Sequence, residues 1–259
     1  MNYKMLITDV FGTTTPMTET KKVGDYASSP KALAEIQKKL KYATQEEVIQ
    51  AMENGIAAKD SPQGKDHPDF RQYLRIWDIA AELGYGTNDL TMETFSDVES
   101  ALEGLVNSNV EVRIFSSGSS KATEAAMKGK GLDNLIKAYH SSSDKGIGSK
   151  NSKEAYLAIA KIAGINPSEI AYINDLDPES EAAIEAGIGT VFQINREGER
   201  CVKNGIHYIN DYNQVLEYLR RSATFQTNEE TSATHQSSTD ETNLGLETAE
   251  AAETASAEE

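Results

Sequence analysis

Short apolar runs rich in β-branched and aromatic residues recur at about 4–9, 110–116, 135–140, 169–174, 189–194 and 206–209. Runs of this length and composition predict strands. Apolar positions at helical spacing follow the later runs, at about 119–129, 152–164, 178–187 and 211–221, and predict helices. Strands that alternate with helices imply βαβ units, a parallel sheet and right-handed crossovers, and so an α/β architecture. One gap breaks the alternation. Residues 17–92 carry helical patterns at about 30–40, 44–56 and 68–83 but no convincing strand. A helical module inserted after the first strand would overhang the carboxyl ends of the sheet, the geometry of a lid. The predicted division is an α/β core from residues 1–16 and 93–221, and a helical cap from 17–92. The clearest loop within the cap runs from Lys59 to Pro68.

The final stretch, 222–259, changes this picture by removing itself from the fold. Beyond Arg221 there is no Lys or Arg, while nine acids follow, from Glu229 to Glu259. Rich in Thr, Ser, Ala and Glu, the segment cannot bury enough surface to offset its ordering entropy. It is expected to be a disordered acidic tail that favours solubility or meets a protein partner; a short helix near 246–255 would be marginal alone. Those acids hold over half of the formal charge of −16. The remaining body is still acidic, which argues against general nucleic-acid binding, since that needs a basic face. Cys201 is the only cysteine, so no intrachain disulfide can form, which suits a reducing compartment. The first residues read as a strand, not a leader, and no apolar run is long enough to span a bilayer. A cytoplasmic location is expected, without a membrane or nucleic-acid partner.

Four clusters capable of chemistry fall just after predicted strands, where open α/β sheets gather ligands. In the first, Asp9 ends the run Leu6-Ile7-Thr8 and a Gly12-Thr13 turn follows; a carboxylate there can act as a nucleophile. The second is Ser116-Ser117-Gly118-Ser119, hydroxyls and backbone N–H groups at a helix start, suited to an anion or to simple capping. Lys150, in Gly146-Ile147-Gly148-Ser149-Lys150, is the third and offers a point charge to a phosphate or to a carboxylate. The fourth is Asn174-Asp175-Leu176-Asp177-Pro178-Glu179, whose oxygen ligands favour a hard cation such as Mg²⁺. Acids here also suit a helix start, with Asp177 capping while Asp175 and Glu179 face the crevice.

The order of these clusters resembles the haloacid dehalogenase superfamily, most of whose members are phosphatases. Asp9 matches its nucleophile motif, Ser116 the second motif, Lys150 the third, and Asp175 with Glu179 the fourth. The stretch Gly12-Thr13-Thr14-Thr15-Pro16, then Lys21 and Tyr26-Ala27, is similar to the opening of the enolase-phosphatases of methionine salvage. Trp77, Phe115 to Ser119, and Ala182-Ala183 through Ala186-Gly187 continue the likeness, which covers about 4–220 and thins between 28 and 68. The resemblance implies a Rossmann-like core and a Mg²⁺-dependent phosphatase acting on a small phosphorylated metabolite through an aspartyl-phosphate on Asp9. It implies that Asp9, the backbone carbonyl of Phe11, and Asp175 hold the metal. Ser116, Ser117, Gly118 and Lys150 would hold phosphate, Lys150 with a catalytic role, and Glu179 would support Lys150 or the metal shell.

Phe11 departs from that pattern. Phosphatases of this kind carry an acid two residues after the nucleophile, which protonates the leaving oxygen and later activates water. Dehalogenases proper carry an aromatic residue there, because halide leaves without a proton. A hydrolytic 2-haloacid dehalogenase is therefore one alternative, and a weakly active or non-catalytic binder of phosphorylated ligands is another. Trp77, on an apolar stripe with Leu74 and Leu83, is expected in the cap core rather than at the substrate, and Lys21 is left between substrate and surface. His67, His140, His207 and His235 share no spacing and need no role.

Overall fold

The structure is a computed structural model and describes residues 3–59, 61 and 67–222. The expected acidic tail, the short helix near 246–255 and most of the Lys59–Pro68 loop lie outside the described residues. Strand β1 (Met5–Thr8) has every side chain buried, as a strand covered on both faces of a parallel sheet requires. The others are β2 (Glu111–Ser116), β3 (Ala138–Ser141), β4 (Ile170–Asn174), β5 (Thr190–Ile194), β6 (Cys201–Lys203) and β7 (Ile206–Ile209). They form one sheet in the order β3-β2-β1-β4-β5-β7-β6. Every pairing is parallel except β6 with β7.

This is the expected α/β, Rossmann-like architecture. Helices α7 (Lys153–Ala163) and α8 (Asp177–Glu185) cover the face that carries Met5, Ile7, Phe115 and Tyr172. Leu6 and Val112, which alternate with those residues and point to the other face, are also buried. Helices α5 (Val98–Val106) and α6 (Ser120–Lys130) complete the α/β part, and a helix at 212–222 follows β7 in the chain.

Between β1 and β2 lie α1 (Thr18–Ala27), α2 (Pro30–Leu40), α3 (Gln45–Ala58) and α4 (Pro68–Gly86). The sequence signals for these helices are local. Ser29 caps α2 by accepting from Ala32 N, with Pro30 in the first turn, and Thr44 caps α3 by accepting from Glu47 N. Helix α4 packs on α1, α2 and α3, and also on α6 of the α/β part. One helix thus links the insert to the sheet. Helices α1 and α5 and strand β6 were not among the predicted elements. Strand β6 is exposed throughout and pairs only along an edge, so it leaves no apolar run to read.

Register sets the location of the site. Thr8 pairs with Ile114 on one side and Ile173 on the other. The residues just past these three, Asp9, Ser116 and Asp175, therefore emerge at one edge of the sheet.

Candidate active site

Asp9 leaves β1 with its N–H still bonded to Ile173 O at 3.0 Å, so the sheet fixes its backbone. The chain then turns tightly. Thr14 N and Thr15 N both donate to Val10 O, at 2.9 and 3.0 Å, and Gly12 N donates to Thr15 O at 2.8 Å. Gly12 has φ +84, and a Cβ there would come within 2.7 Å of Asp175 Cγ. Glycine is needed twice over, for the left-handed backbone and for the close approach of a carboxyl. Arg196 braces the same turn: Nη2 donates to Thr13 O at 3.1 Å, and Nη1 donates to both oxygens of Asp97 at 2.9 and 3.0 Å.

Lys150 is the electrostatic centre. Only 4% exposed, it places Nζ 2.7 Å from Asp9 Oδ1 and 2.7 Å from Glu179 Oε2. Burial alone would lower its pKa, but the carboxylates of Asp9 and Glu179 outweigh burial and hold it above the ordinary lysine value. Gly146 and Gly148, both at positive φ, shape the turn that carries it in. Two tyrosines complete the cluster. Tyr172 OH donates to Glu179 Oε2 at 2.7 Å, and Tyr156 OH donates to Lys150 O at 2.7 Å.

Glu179 Oε2 meets both Lys150 and Tyr172, so this carboxylate supports the lysine. Among the described residues, no three His, Cys, Asp or Glu side chains gather in metal-binding geometry. Asp175 differs from Glu179. It is partly exposed, lines the same cavity as Asp9, and has its pKa pushed up to about 6. Burial is the largest cause, followed by the negative charges of Asp9 and Glu179, with Lys150 opposing.

Ser116, Ser117 and Gly118 also line that cavity. Capping of α6 falls to one residue of this loop. Ser119 is the N-cap of α6, accepting from Ala122 N at 3.1 Å, while Ser116 Oγ accepts from Gly118 N at 3.2 Å inside the cavity wall. Asp177 does not cap: the N-cap position of α8 is Leu176, with Asp177 in the first turn. Asn174 Oδ1 accepts from Leu176 N at 2.7 Å and shapes that turn.

The cavity, about 710 Å³, runs from Asp9 and Lys150 into the insert. Trp77 lines it and is not part of the cap core: its ring meets Phe11 edge to face, centroids 5.6 Å apart. Its Nε1 donates to Thr20 O at 3.2 Å. Lys21 lies at the cavity and pairs with Asp25 at 2.7 Å. Sequence reasoning passed over Asp78, beside Trp77. Asp78 Oδ1 accepts from Ser119 N at 2.7 Å, joining insert to core, and burial pushes its pKa up to about 6. The one available signal was an acid set between Ile76 and Ala80, two buried positions of the same helix.

Fold and site together define an α/β protein with a carboxylate, Asp9, just past its first strand and helices α1 to α4 inserted behind it. The chain belongs to the haloacid dehalogenase-like hydrolases, a family that matches residues 24–193. It is 26% identical over 198 residues to enolase-phosphatase E1 of Sulfurihydrogenibium sp. (strain YO3AOP1), covering 73% of this chain and 86% of that protein. The fold is similar to that of a HAD phosphatase from Thermococcus onnurineus (TM-score 0.59, 19% identity, 83% of this chain and 97% of that one). It is also similar to that of L-2-haloacid dehalogenase from Xanthobacter autotrophicus (TM-score 0.53, 12% identity, 84% and 98%). Among the described residues, no helix is long and apolar enough to cross a membrane.

Proposed function

We propose that this hydrolase is a Mg²⁺-dependent phosphomonoesterase that acts on a small phosphorylated metabolite. The observation that carries the reading is the buried Lys150, 2.7 Å from Asp9 Oδ1, in a cavity that also presents Ser116 and Asp175. A lysine there directs the Asp9 carboxylate and supplies positive charge where a phosphate gathers negative charge. Ser116, Ser117 and Gly118 supply hydroxyl and N–H donors to the remaining phosphate oxygens. Asp9 attacks phosphorus, the bond to the leaving oxygen breaks, and water then hydrolyses the aspartyl-phosphate to restore the carboxylate.

The donor set fits magnesium. Mg²⁺ is commonly held by one or two carboxylates plus substrate phosphate, and Asp9 and Asp175 are two carboxylates on one cavity, the second raised in pKa chiefly by burial and next by the first. They and the Phe11 carbonyl would hold the ion, which when bound supplies charge neutralisation for the phosphate. The likeness to an enolase-phosphatase supports a methionine-salvage substrate. A cytoplasmic location agrees with that role.

Phe11 against Trp77 favours a second reading, hydrolytic dehalogenation, because an aromatic beside the nucleophile suits a leaving group that needs no proton. The deciding experiment measures phosphate release from a metabolite panel and chloride release from 2-haloacids, each with Mg²⁺ and with EDTA. Phosphate release that needs Mg²⁺ and disappears in Asp9→Asn supports the proposal. EDTA-insensitive chloride release replaces it with the dehalogenase. Folded wild type that is inert while Phe11→Glu is active makes the natural protein a binder.

A further inference from the structure

The cavity is divided by chemistry. One end holds Asp9, Ser116, Lys150 and Asp175. The rest of the wall holds Phe11 and Trp77, which meet edge to face, with Met52 and Phe70 buried, and also the polar Lys21, Asp25, Lys59 and Asp78. The mouth extends this surface. Met17, Ile56, Leu74 and Leu176 border the cavity and are 58%, 54%, 39% and 47% exposed. Large apolar side chains left in water and gathered at one opening mark a binding surface. They come from four separate places in the chain: the approach to α1, helices α3 and α4, and the turn before α8. A volume of about 710 Å³ is far more than a phosphate requires and suits a ligand of drug-like size.

Resting on the phosphatase reading above but replacing its methionine-salvage substrate, the geometry points to aryl phosphate monoesters with an extended apolar body as the substrate class. Two independent features of the wall select it. First, the aromatic ring of the leaving group would lie against Phe11 and Trp77, which favour ring contacts. Second, position 11 has no proton to give. In the transfer step the Asp9 oxygen forms a bond to phosphorus, and the bond from phosphorus to the aryl oxygen breaks with its electron pair on that oxygen. A phenolate carries that pair stably and takes its proton from water afterwards. Water then attacks the aspartyl-phosphate, delivers oxygen to phosphorus and frees the carboxylate. Net, one water is consumed, and phenol and inorganic phosphate are formed. An alkoxide leaving group lacks this stability and loses the help of about 10²–10⁴ that an acid would give.

The test measures kcat/KM of the full chain with Mg²⁺ for substituted phenyl phosphates, 4-biphenylyl phosphate, n-hexyl phosphate and glucose 6-phosphate. Phenyl phosphates are expected to exceed hexyl phosphate by about 10²–10⁴ and to rise steeply as the leaving phenol becomes more acidic. Biphenylyl phosphate should show the lowest KM, and Leu74→Asp and Ile56→Asp should each raise that KM roughly tenfold or more. A readout free of turnover is calorimetric binding to Asp9→Asn, where biphenylyl phosphate should bind more tightly than glucose 6-phosphate. Phosphate release with hexyl or sugar esters equal to aryl esters overturns this inference and leaves the phosphatase reading standing. No phosphate from any ester, by protein shown to be folded, overturns that reading and this inference with it.

Discussion

Replacing Lys150 with Met tests the electrostatic centre of the site. The side chain is 4% exposed and its Nζ lies 2.7 Å from each of two carboxylates that are themselves nearly buried. Methionine fills a similar volume, so the perturbation is the loss of charge. Removing one partner of a buried ion pair costs about 3–5 kcal/mol, because the remaining charge is left uncompensated. Here two charges are left. The sign of the pH dependence follows from that. Glu179 already has its pKa raised, chiefly by burial and next by the charge of Asp9, with Lys150 opposing, so loss of the lysine raises it further. Its neutral form is fully stabilising below the unfolded carboxylate pKa of about 4, and that contribution is lost as pH rises through the raised value. The gap between wild type and Lys150→Met should therefore be small near pH 4.5 and reach about 3–5 kcal/mol near pH 7.5. Urea unfolding followed by tryptophan fluorescence suits the assay, since Trp77 is the only tryptophan and lies at this cavity. A gap below about 1 kcal/mol at pH 7.5, or one that does not change with pH, refutes the ion-triad account.

Gly12→Ala forces an L side chain to φ +84 and drives a methyl into the Asp175 carboxyl. The backbone alone should cost about 1–2 kcal/mol, and phosphate release should fall sharply; unchanged Tm and turnover would count against the close approach. Arg196→Met removes the pair to Asp97, the bond to Thr13 O and the stack on Phe95 at 3.5 Å. It should lose about 1–3 kcal/mol in urea melts, and a loss within error would show that the brace is idle. Asp78→Asn keeps an acceptor for Ser119 N and removes a carboxylate whose pKa stands at about 6, raised chiefly by burial and slightly by Glu82. A raised carboxyl pKa stabilises the fold below about pH 4 and loses that contribution as pH passes 6, so the variant should gain on wild type between those values, by up to about 3 kcal/mol. A difference that is constant with pH rejects this.

The α/β core was legible because its strands are buried on both faces and so read as continuous apolar runs, as in Met5–Thr8 and Ile170–Asn174. Strand β6 and helix α1 were not. The first is exposed along its length, and the second buries only Glu19, Val23 and Ala27, too sparse a stripe to stand out. Legibility of the site followed chain connectivity. Asp9, Ser116, Lys150 and Asp175 each follow a strand and could be placed from topology alone. Glu179 could be placed only to within two roles, because the choice depends on Tyr172, a hydroxyl on a strand whose face cannot be fixed without the pairing. Trp77 and Asp78 were misjudged or missed for the same reason. A helix within the insert shows its periodicity in the sequence but not which neighbour it meets, and α4 meets both the insert and α6.

Phe11 and Trp77 are best understood as one feature. A carboxylate at position 11 would face an indole ring and the apolar wall beyond it, and an ion in that setting is disfavoured unless a donor meets it. The pair that is present gains from contact where an acid would lose from desolvation. Nor does the site go without charge: Lys150 pairs with both Asp9 and Glu179 in a compact triad. The ends of the sheet bring Asp9, Ser116, Lys150 and Asp175 to the cavity, and the insert adds Trp77 with Asp78 beside it. On the phosphatase reading, a leaving group against Phe11 and Trp77 would depart without an acid at position 11.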